Sequence, residues 1–291
     1  MEAQPGDSRS NDAGYVDLHL HSTASDGCLT PAELIDAAAQ AGLKGLALTD
    51  HDTIDGLPDF YAAASARGMK AIGGVEISLE HPGTMHLLGL NVCGGTEIPS
   101  SLGKLKTFRT ERNLKMLNRL GEMGYLLPWD QLLQKARGGQ MGRPHFAALL
   151  IEKGYFKTRE EAFDKLLGKG KPGYVDKTRL SPEDGLLMLR EAGWAPVLAH
   201  PASMCLAPDQ WPVWLARLTD GGLAGIETWH PSLNREQMDF FQKQAREFGL
   251  VQTAGSDFHC PGKPAAGLGW VIENSPLGWA DMVEALCEKM K

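Results

Sequence analysis

Two histidines separated by a single residue follow an apolar run near the start of the chain. His19 and His21 belong to the segment Asp17-Leu18-His19-Leu20-His21, and residues two apart on a β-strand point to the same face of the sheet. Two imidazoles on one face can chelate a single cation. The pair predicts a metal site, provided that other parts of the chain supply the remaining ligands.

Ligand-type side chains recur at the ends of several other apolar runs. They are Asp26 in the loop after the first pair, His51 between two aspartates, Glu76 inside an apolar run, His200, Asp257 and His259. A solvated turn or a helix cap could explain single aspartates such as Asp50 and Asp52. Recurrence at the ends of separate strands is harder to explain by packing, because α/β barrels build their sites at the carboxyl ends of strands. The pattern therefore predicts a metal cluster.

The elements that must position these residues alternate in type along the chain. From Tyr15 onward, short apolar runs alternate with longer amphipathic ones, which is typical of βα units around a mainly parallel sheet. A capping box that begins at Thr30 predicts a helix start, and Gly42 predicts its end. The predicted strands are 15–20, 45–49, 71–77, 85–90, 197–199, 225–228, 251–254 and 268–271, with the third and fourth pairing as a hairpin.

Residues 99–175 break this rhythm, because several helical stretches follow one another without a convincing strand. We predict a helical insertion there that caps the site, and a barrel made of residues 15–98 and 176–291. Residues 1–14 are polar and predict a disordered tail. The fold class is then α/β, a distorted seven-stranded (β/α) barrel with a helical insertion, whose chemistry lies at the carboxyl ends of the strands.

Composition and charge restrict the classes of function. The chain has 291 residues, of which 43% are hydrophobic and 22% charged, with a formal net charge of -7. An acidic chain without a broad basic field disfavours binding of duplex nucleic acid. The five cysteines form no CxxC pair, so the sequence predicts neither a disulfide framework nor a zinc ribbon, and it favours a reducing cytoplasm. The longest apolar stretches are too short for a membrane span.

These motifs together resemble the polymerase and histidinol phosphatase family, known as PHP, over nearly the whole chain. The resemblance rests on the histidine pair, Ser25-Asp26-Gly27, Thr49-Asp50-His51-Asp52, Glu76, His200-Pro201 and Asp257-Phe258-His259. It implies ligands for three metals: His19, His21, Glu76 and Asp257 for the first, Glu76 as a bridge with His200 for the second, and Asp26, His51 and His259 for the third. About eight ligands suit two to three ions per chain, at about four ligands each.

The ligand types also restrict the metal. Nitrogen and oxygen ligands without a thiolate favour divalent manganese, iron or zinc, and the family habit favours manganese. The residues expected to act in catalysis are Glu76, His200 and His259. The proton for the leaving alcohol would come from a histidine or from a water molecule at the metals, and the sequence leaves both open.

Two further runs resemble the TrpH-like branch of stand-alone phosphoesterases within this family. They are Met85-His86-Leu87-Leu88-Gly89 and Gly142-Arg143-Pro144-His145. Members of that branch are implicated in hydrolysing 3',5'-bisphosphonucleotides and in trimming the 5' ends of short RNA. The resemblance implies a small nucleotide or a short single-stranded RNA as the substrate.

One further ligand is expected near the second metal, and His86 and His145 compete for it. His86 begins an apolar run and is as readily explained as a hydrogen-bonded hairpin residue. His145 follows Arg143 at a predicted helix start, where backbone amides and a guanidinium could hold a phosphate. We therefore place His145 at the substrate, with a metal bond as the alternative. His230 follows another strand end and is a further candidate for substrate contact.

Positive charge in the insertion supplies a partner for a phosphate. Arg109 and Arg112 lie three residues apart on a predicted helix and therefore share one helical surface. With Arg143 they are predicted to bind substrate. Asp17 and the acids that flank His51 are predicted to orient ligand imidazoles.

The sequence thus predicts a metal-dependent phosphoesterase that acts on nucleotide phosphate esters. The expected reaction is removal of the 3'-phosphate of 3',5'-bisphosphonucleotides, with trimming of short RNA 5' ends as a further activity. The alternatives are a histidinol-phosphate-type phosphatase, an amide or lactone hydrolase that uses the same metals, and a nucleotide-binding protein without catalysis. The arginines of the insertion favour a phosphate substrate over an amide or a lactone.

Overall fold

The computed structural model describes residues 15–94, 102, 104–136, 141–176, 179–261 and 267–291. The predicted tail, residues 1–14, lies outside these ranges. The described chain is a mixed α/β fold in which seven strands form a nearly closed barrel, as the alternating runs predict. The strands are β1 (Val16–Asp17), β2 (Gly45–Leu48), β3 (Lys70–Leu79), β4 (Met85–Leu90), β5 (Ala195–Leu198), β6 (Gly225–Trp229) and β7 (Val251–Ala254).

The sheet follows the order of the chain from β1 to β7. Neighbouring strands run parallel except for β4, which pairs antiparallel with both β3 and β5. The predicted hairpin of β3 and β4 is therefore confirmed. The first strand is shorter than predicted. The residues that follow it pair instead with the residues that follow β7, through a bridge between Leu20 and Phe258. This pairing closes the barrel and brings the carboxyl ends of β1 and β7 together.

Local sequence signals start and end the first helix where they were predicted. α1 (Pro31–Ala41) begins after Thr30, whose hydroxyl accepts a hydrogen bond from the Glu33 amide while the Glu33 carboxylate accepts one from the Thr30 amide. It ends at Gly42, whose φ of 91° favours glycine. α2 (Leu57–Arg67) packs against α1 and β3.

The helical stretch between β4 and β5 has a core of its own. It contains α3 (Lys104–Glu122), α4 (Trp129–Ala136), α5 (Arg143–Glu152) and α6 (Arg159–Ala162), the last continued by a π-helical turn at Phe163–Leu167. Buried side chains join these helices, among them Met116, Leu120, Leu132, Phe146, Leu150 and Leu166. The boundaries of the insertion stay a prediction, since residues 95–101 lie outside the described chain.

The remaining helices cover the second half of the barrel. They are α7 (Pro182–Glu191), α8 (Trp211–Asp220), α9 (Arg235–Glu247), α10 (Trp270–Asn274) and α11 (Ala285–Lys289). One prediction here is wrong, because residues 268–271, predicted as a strand, lead into α10. The continuation of β7 already pairs with that of β1, so no sheet edge is left there for another strand. Gly269, with a φ of 94°, turns the chain into the helix.

A disulfide joins two loops at the carboxyl ends of β1 and β7. Cys28 and Cys260 are 232 residues apart in sequence, and their Cα atoms are 5.0 Å apart. The sequence predicts no disulfide framework and gives no sign of this bond, because tertiary closure pairs cysteines that carry no spacing motif. Cys93, Cys205 and Cys287 are free thiols. Within the described ranges, every helix is too short or too polar to cross a bilayer.

Candidate metal centre

A single carboxylate, that of Glu76, lies at the centre of a cluster of imidazoles. Glu76 is fully buried on β3, where its amide donates to the Asp50 carbonyl and its own carbonyl accepts from the Asp52 amide. Five imidazole nitrogens lie between 2.6 and 3.4 Å from its oxygens, those of His19, His21, His51, His86 and His200. These histidines follow or belong to β1, β2, β4 and β5, so only the folded barrel brings them together.

The first group of ligand atoms contains His19, His21, Glu76 and Asp257, whose donor atoms lie within 4.8 Å of one another. Asp257 Oδ1 is 3.5 Å from His19 Nε2 and 3.1 Å from His21 Nε2. Asp257 has a φ of 52°, which is uncommon for a residue with a side chain. Its amide donates to the His19 carbonyl at 2.9 Å, so the barrel closure holds this carboxylate against the histidine pair.

Another group contains His21, Asp26, His51 and His259. His259 Nε2 is 3.3 Å from Asp26 Oδ1, and the His259 ring stacks on His21 with centroids 4.1 Å apart. The group is more open than the first, since the side chains of Asp26 and His259 are 41% and 18% exposed. The Cys28–Cys260 disulfide lies next to both residues in sequence and ties their loops together.

The remaining group near Glu76 contains His51 and His86. His86 Nδ1 is 2.6 Å from Glu76 Oε1, and His200 Nε2 is 2.9 Å from the same oxygen. The sequence placed His145 ahead of His86 as a candidate here. The structure reverses that order, because β4 lies beside β3 and directs His86 at Glu76, whereas His145 belongs to α5 and accepts a hydrogen bond from the Gly142 amide.

Several buried polar atoms of the cluster have no hydrogen-bond partner among the described residues. They are His19 Nε2, His21 Nδ1 and Nε2, His51 Nδ1 and Glu76 Oε2. Leaving such atoms unsatisfied costs about 1–3 kcal/mol each. Three of these nitrogens, His19 Nε2, His21 Nε2 and His51 Nδ1, lie at ion-pair distance from Glu76 Oε2, and the first two also from Asp257. The donor set therefore fits divalent cations, which imidazole and carboxylate bind in proteins.

The charges of the cluster also favour a cation among the imidazoles. Burial lowers the pKa of His21, but the nearby carboxylates of Asp257 and Glu76 outweigh burial and raise it to about 10. Burial raises the pKa of Glu76, yet the surrounding imidazoles hold it well below its ordinary value. His86 differs, because burial lowers its pKa to about 4 despite the nearby Glu76. The cluster favours added positive charge, and bound cations provide it without protonating the ligands.

A cleft of about 620 Å³ opens between the metal groups and the helical stretch. Asp26, His51 and His86 line it on the barrel side. The opposite side is strongly cationic and partly aromatic, and its residues include Arg112, Arg143, His145, Arg159, Phe163, Lys169, Tyr174 and Arg179. Candidate metal ligands and cationic side chains that could bind a phosphate thus share one cavity.

Three of the substrate contacts predicted in the insertion, Arg112, Arg143 and His145, line this cleft. Arg143 begins α5, and its guanidinium carbon is 5.9 Å from the centre of the Phe163 ring and 5.3 Å from that of Tyr174. Arg112 on α3 is 7% exposed and lines the same cavity. The side chain of Arg109 lies outside the described part of the structure.

The structure does not bring His230 to the cleft. It is 4% exposed, and its ring centre lies 6.0 Å from that of His19 and 5.5 Å from that of His200. His230 therefore lies behind two ligand histidines. The prediction of a substrate contact rested on the position of His230 after a strand end, but the residue is buried and does not line the cleft.

The acids predicted to orient imidazoles are bonded to other groups. Asp17 Oδ1 accepts hydrogen bonds from the amides of His19 and Ser256. Asp50 accepts from the Ser22 amide and from two serine hydroxyls, and Asp52 accepts from the Ser78 amide. These contacts hold the loops that carry the ligands. The imidazole of His19 instead contacts Glu227, with Nδ1 2.9 Å from Oε1.

Sequence reasoning underrated two residues of the centre and missed part of the cleft. Glu227 carries the signal that singled out Glu76, a carboxylate inside an apolar strand, and could have been found from it. His86 lies in an apolar run that offers no sign of its direction. No local pattern singles out Arg159, Lys169 and Arg179. The sequence does not distinguish cationic side chains that line a cleft from those on a solvated surface.

Comparison with known proteins shows the family to which the chain belongs. The family model described as PHP domain matches residues 17–167. The chain is 34% identical to the 3',5'-nucleoside bisphosphate phosphatase of Chromobacterium violaceum, over 90% of this chain and 93% of that protein. It is 32% identical to a 5'-3' exoribonuclease of Haemophilus influenzae, over 94% of this chain and 98% of that protein.

A solved structure from Bifidobacterium adolescentis, described as a metal-dependent phosphoesterase, superposes with a TM-score of 0.78. It is 29% identical and covers 95% of this chain and 96% of its own. The chain therefore belongs to the PHP domain family and is a metal-dependent phosphoric ester hydrolase.

Proposed function

We propose that this enzyme removes the 3'-phosphate of 3',5'-bisphosphonucleotides. The observation that carries the proposal is the shared cleft, which has metal-ligand side chains on one side and arginines on the other. A substrate with one phosphate at each side would use both sets of charges. The relative from Chromobacterium violaceum, named a 3',5'-nucleoside bisphosphate phosphatase, supports the same substrate class.

The residues would hold two to three divalent ions, with manganese as the proposed metal. One ion would lie among His19, His21, Glu76 and Asp257, and one among His21, Asp26, His51 and His259. A further ion would lie between Glu76, His86 and His200, because nitrogens of the two histidines are 2.6 and 2.9 Å from Glu76 Oε1. When bound, such ions activate water at neutral pH and neutralise the charge of the phosphate oxygens.

Two histidines of the centre make a hydrogen bond through Nδ1, which fixes the direction of the other ring nitrogen. His200 Nδ1 contacts the Ser203 hydroxyl at 2.8 Å, which leaves Nε2 to face Glu76. His259 Nδ1 donates to the Asp257 carbonyl at 2.8 Å, so its Nε2 is the nitrogen that can bind an ion or hold a proton. We propose Glu76, His200 and His259 as catalytic residues, because the hydrogen bonds of the two histidines fix the nitrogen that each directs at a carboxylate of the cluster.

Arginine on the opposite side of the cleft would select the second phosphate. Arg143 lies between two aromatic rings, which restrict its side chain without neutralising the guanidinium. A hydrogen bond to a charged group contributes about 1.5–3 kcal/mol, and a tenfold change in specificity needs about 1.4 kcal/mol. One arginine is therefore enough to favour a bisphosphonucleotide over a substrate with a single phosphate.

The test compares two substrates in parallel. The change Arg143→Ala should lower kcat/KM for a 3',5'-bisphosphonucleotide by about tenfold or more, with little change for 4-nitrophenyl phosphate, which has no second phosphate. Arg235→Ala is the matched control, because Arg235 is exposed on α9 and pairs with Asp239. Equal losses on both substrates would refute the two-phosphate model.

A second activity, trimming of short RNA from its 5' end, has one observation in its favour. The cleft contains cations beyond Arg112 and Arg143, since Arg159 and Lys169 also line it, whereas Arg179 pairs with Asp176 at 3.0 Å. A chain of several nucleotides would use these extra charges. Hydrolysis of a series of 5'-phosphorylated oligoribonucleotides of increasing length measures this activity. A failure to cleave anything longer than a mononucleotide would remove it.

A further inference from the structure

A second buried carboxylate, that of Glu227 on β6, lies directly behind the metal groups. It is fully buried, and its two oxygens contact two different elements. Oε1 is 2.9 Å from His19 Nδ1, and Oε2 accepts a hydrogen bond from the His200 amide at 2.5 Å. His19 and His200 belong to different metal groups, so one side chain touches a ligand residue of each.

The contact with His19 determines which of its nitrogens can bind a cation. Nε2 faces Glu76 and Asp257, at 3.4 and 3.5 Å from their oxygens, whereas Nδ1 faces Glu227. A carboxylate that accepts a hydrogen bond from Nδ1 keeps the proton on that nitrogen and leaves the Nε2 lone pair directed at the cluster. The bond also fixes the rotation of the ring.

The hydrogen bond that the His200 amide donates to Glu227 stabilises an uncommon backbone conformation of His200. His200 has a φ of 26°, in a region that favours glycine and that persists only where the surroundings enforce it. The bond from its amide to Glu227 is one such constraint, and it keeps the imidazole 2.9 Å from Glu76 Oε1. Gly255 permits the close packing, because a Cβ atom there would clash with Glu227 Oε1 and with His19.

Glu227, His19 and His230 have donor atoms within 4.8 Å of one another and could in principle hold a cation themselves. The hydrogen bonds argue against that use. The 2.9 Å separation of His19 Nδ1 and Glu227 Oε1 is a hydrogen-bond length. His230 Nδ1 is likewise occupied, because it contacts the Ser232 amide at 3.1 Å and the Ser232 hydroxyl at 2.8 Å.

We infer that Glu227 is a positioning residue of the metal centre, which sets the tautomer of His19 and holds the backbone of His200 so that both ligands are ready for cations. The inference rests on the proposed metal groups and is independent of which nucleotide is cleaved. Outer partners of metal ligands typically change metal affinity or activity by about 10–100-fold when they are replaced.

The experiment measures metal binding by Glu227→Gln, with Mn²⁺ as the titrant. The amide of glutamine cannot accept from both His19 Nδ1 and the His200 amide, because its nitrogen is a donor. We expect Mn²⁺ affinity to fall by about 10–100-fold and the visible absorption of the Co²⁺-loaded protein to change. Glu183→Gln is the control, since Glu183 is exposed and pairs with Arg217.

Far-ultraviolet circular dichroism and thermal unfolding of the metal-free variants separate positioning from loss of fold. If Glu227→Gln does not fold, Glu227→Asp keeps the charge but shortens the side chain, and a folded Asp variant should still bind Mn²⁺ more weakly. Wild-type affinity and an unchanged Co²⁺ spectrum in either folded variant would overturn the inference. Tight metal binding by the wild type without nucleotide hydrolysis would instead overturn the proposed function and leave the role of Glu227 intact.

Discussion

The change Glu76→Gln removes one negative charge from the centre of the cluster and preserves the volume of the side chain. Nitrogen atoms of five histidines lie between 2.6 and 3.4 Å from the Glu76 oxygens, so cations held by these histidines would lie within about 4 Å of the lost charge. At that distance and an effective dielectric constant of 20, two unit charges attract by about 4 kcal/mol. Since each 1.4 kcal/mol is tenfold, affinity should fall about a thousandfold for each unit of metal charge.

The assay is elemental analysis after loading with Mn²⁺ and gel filtration, together with turnover of both phosphate substrates. We expect the variant to retain less than one ion per chain, where the wild type retains two to three, and to lose turnover. Glu80→Gln is the matched control, because Glu80 follows the same strand and is exposed. Wild-type metal content in a folded Glu76→Gln protein would refute the central role of Glu76, which belongs to two of the groups and contacts His21 and His51 of the other.

Two further predictions concern pH and the disulfide. In the metal-free protein the pKa of His21 is raised to about 10. Protonated His21 therefore stabilises the folded state fully below about pH 6.5, and this stabilisation is lost as the pH rises toward 10. Metals compete with that proton, so the rise in Tm on adding Mn²⁺ should be larger at pH 8.5 than at pH 6, and equal shifts would contradict this. Cys28→Ser should lower the free energy of unfolding by about 2–5 kcal/mol in urea titrations. Because the bond to Cys260 ties the loops of Asp26 and His259, the bound Mn²⁺ should also fall by about one ion, and unchanged metal content would separate the disulfide from the site.

Much of the centre could be predicted from sequence because its signals are local. The spacing of His19 and His21 places two imidazoles on one side of an extended chain without help from the rest of the fold. The capping box at Thr30 and the glycine at Gly42 start and stop α1 through bonds within a few residues. A carboxylate inside an apolar strand, as at Glu76, indicates a buried partner wherever it occurs. Such patterns are sufficient for the type of metal ligand and the alternating α/β architecture.

The tertiary structure alone decided which of these residues meet and which atoms they present. The antiparallel position of β4 between β3 and β5 directs His86 at Glu76, and no local pattern encodes that pairing. Closure of β1 against the continuation of β7 joins Cys28 to Cys260 and leaves no edge for a strand at 268–271. Glu227 reaches His19 across 208 residues of sequence. Side-chain chemistry and short-range spacing are written in neighbouring residues, whereas contacts between distant residues depend on how the whole sheet closes.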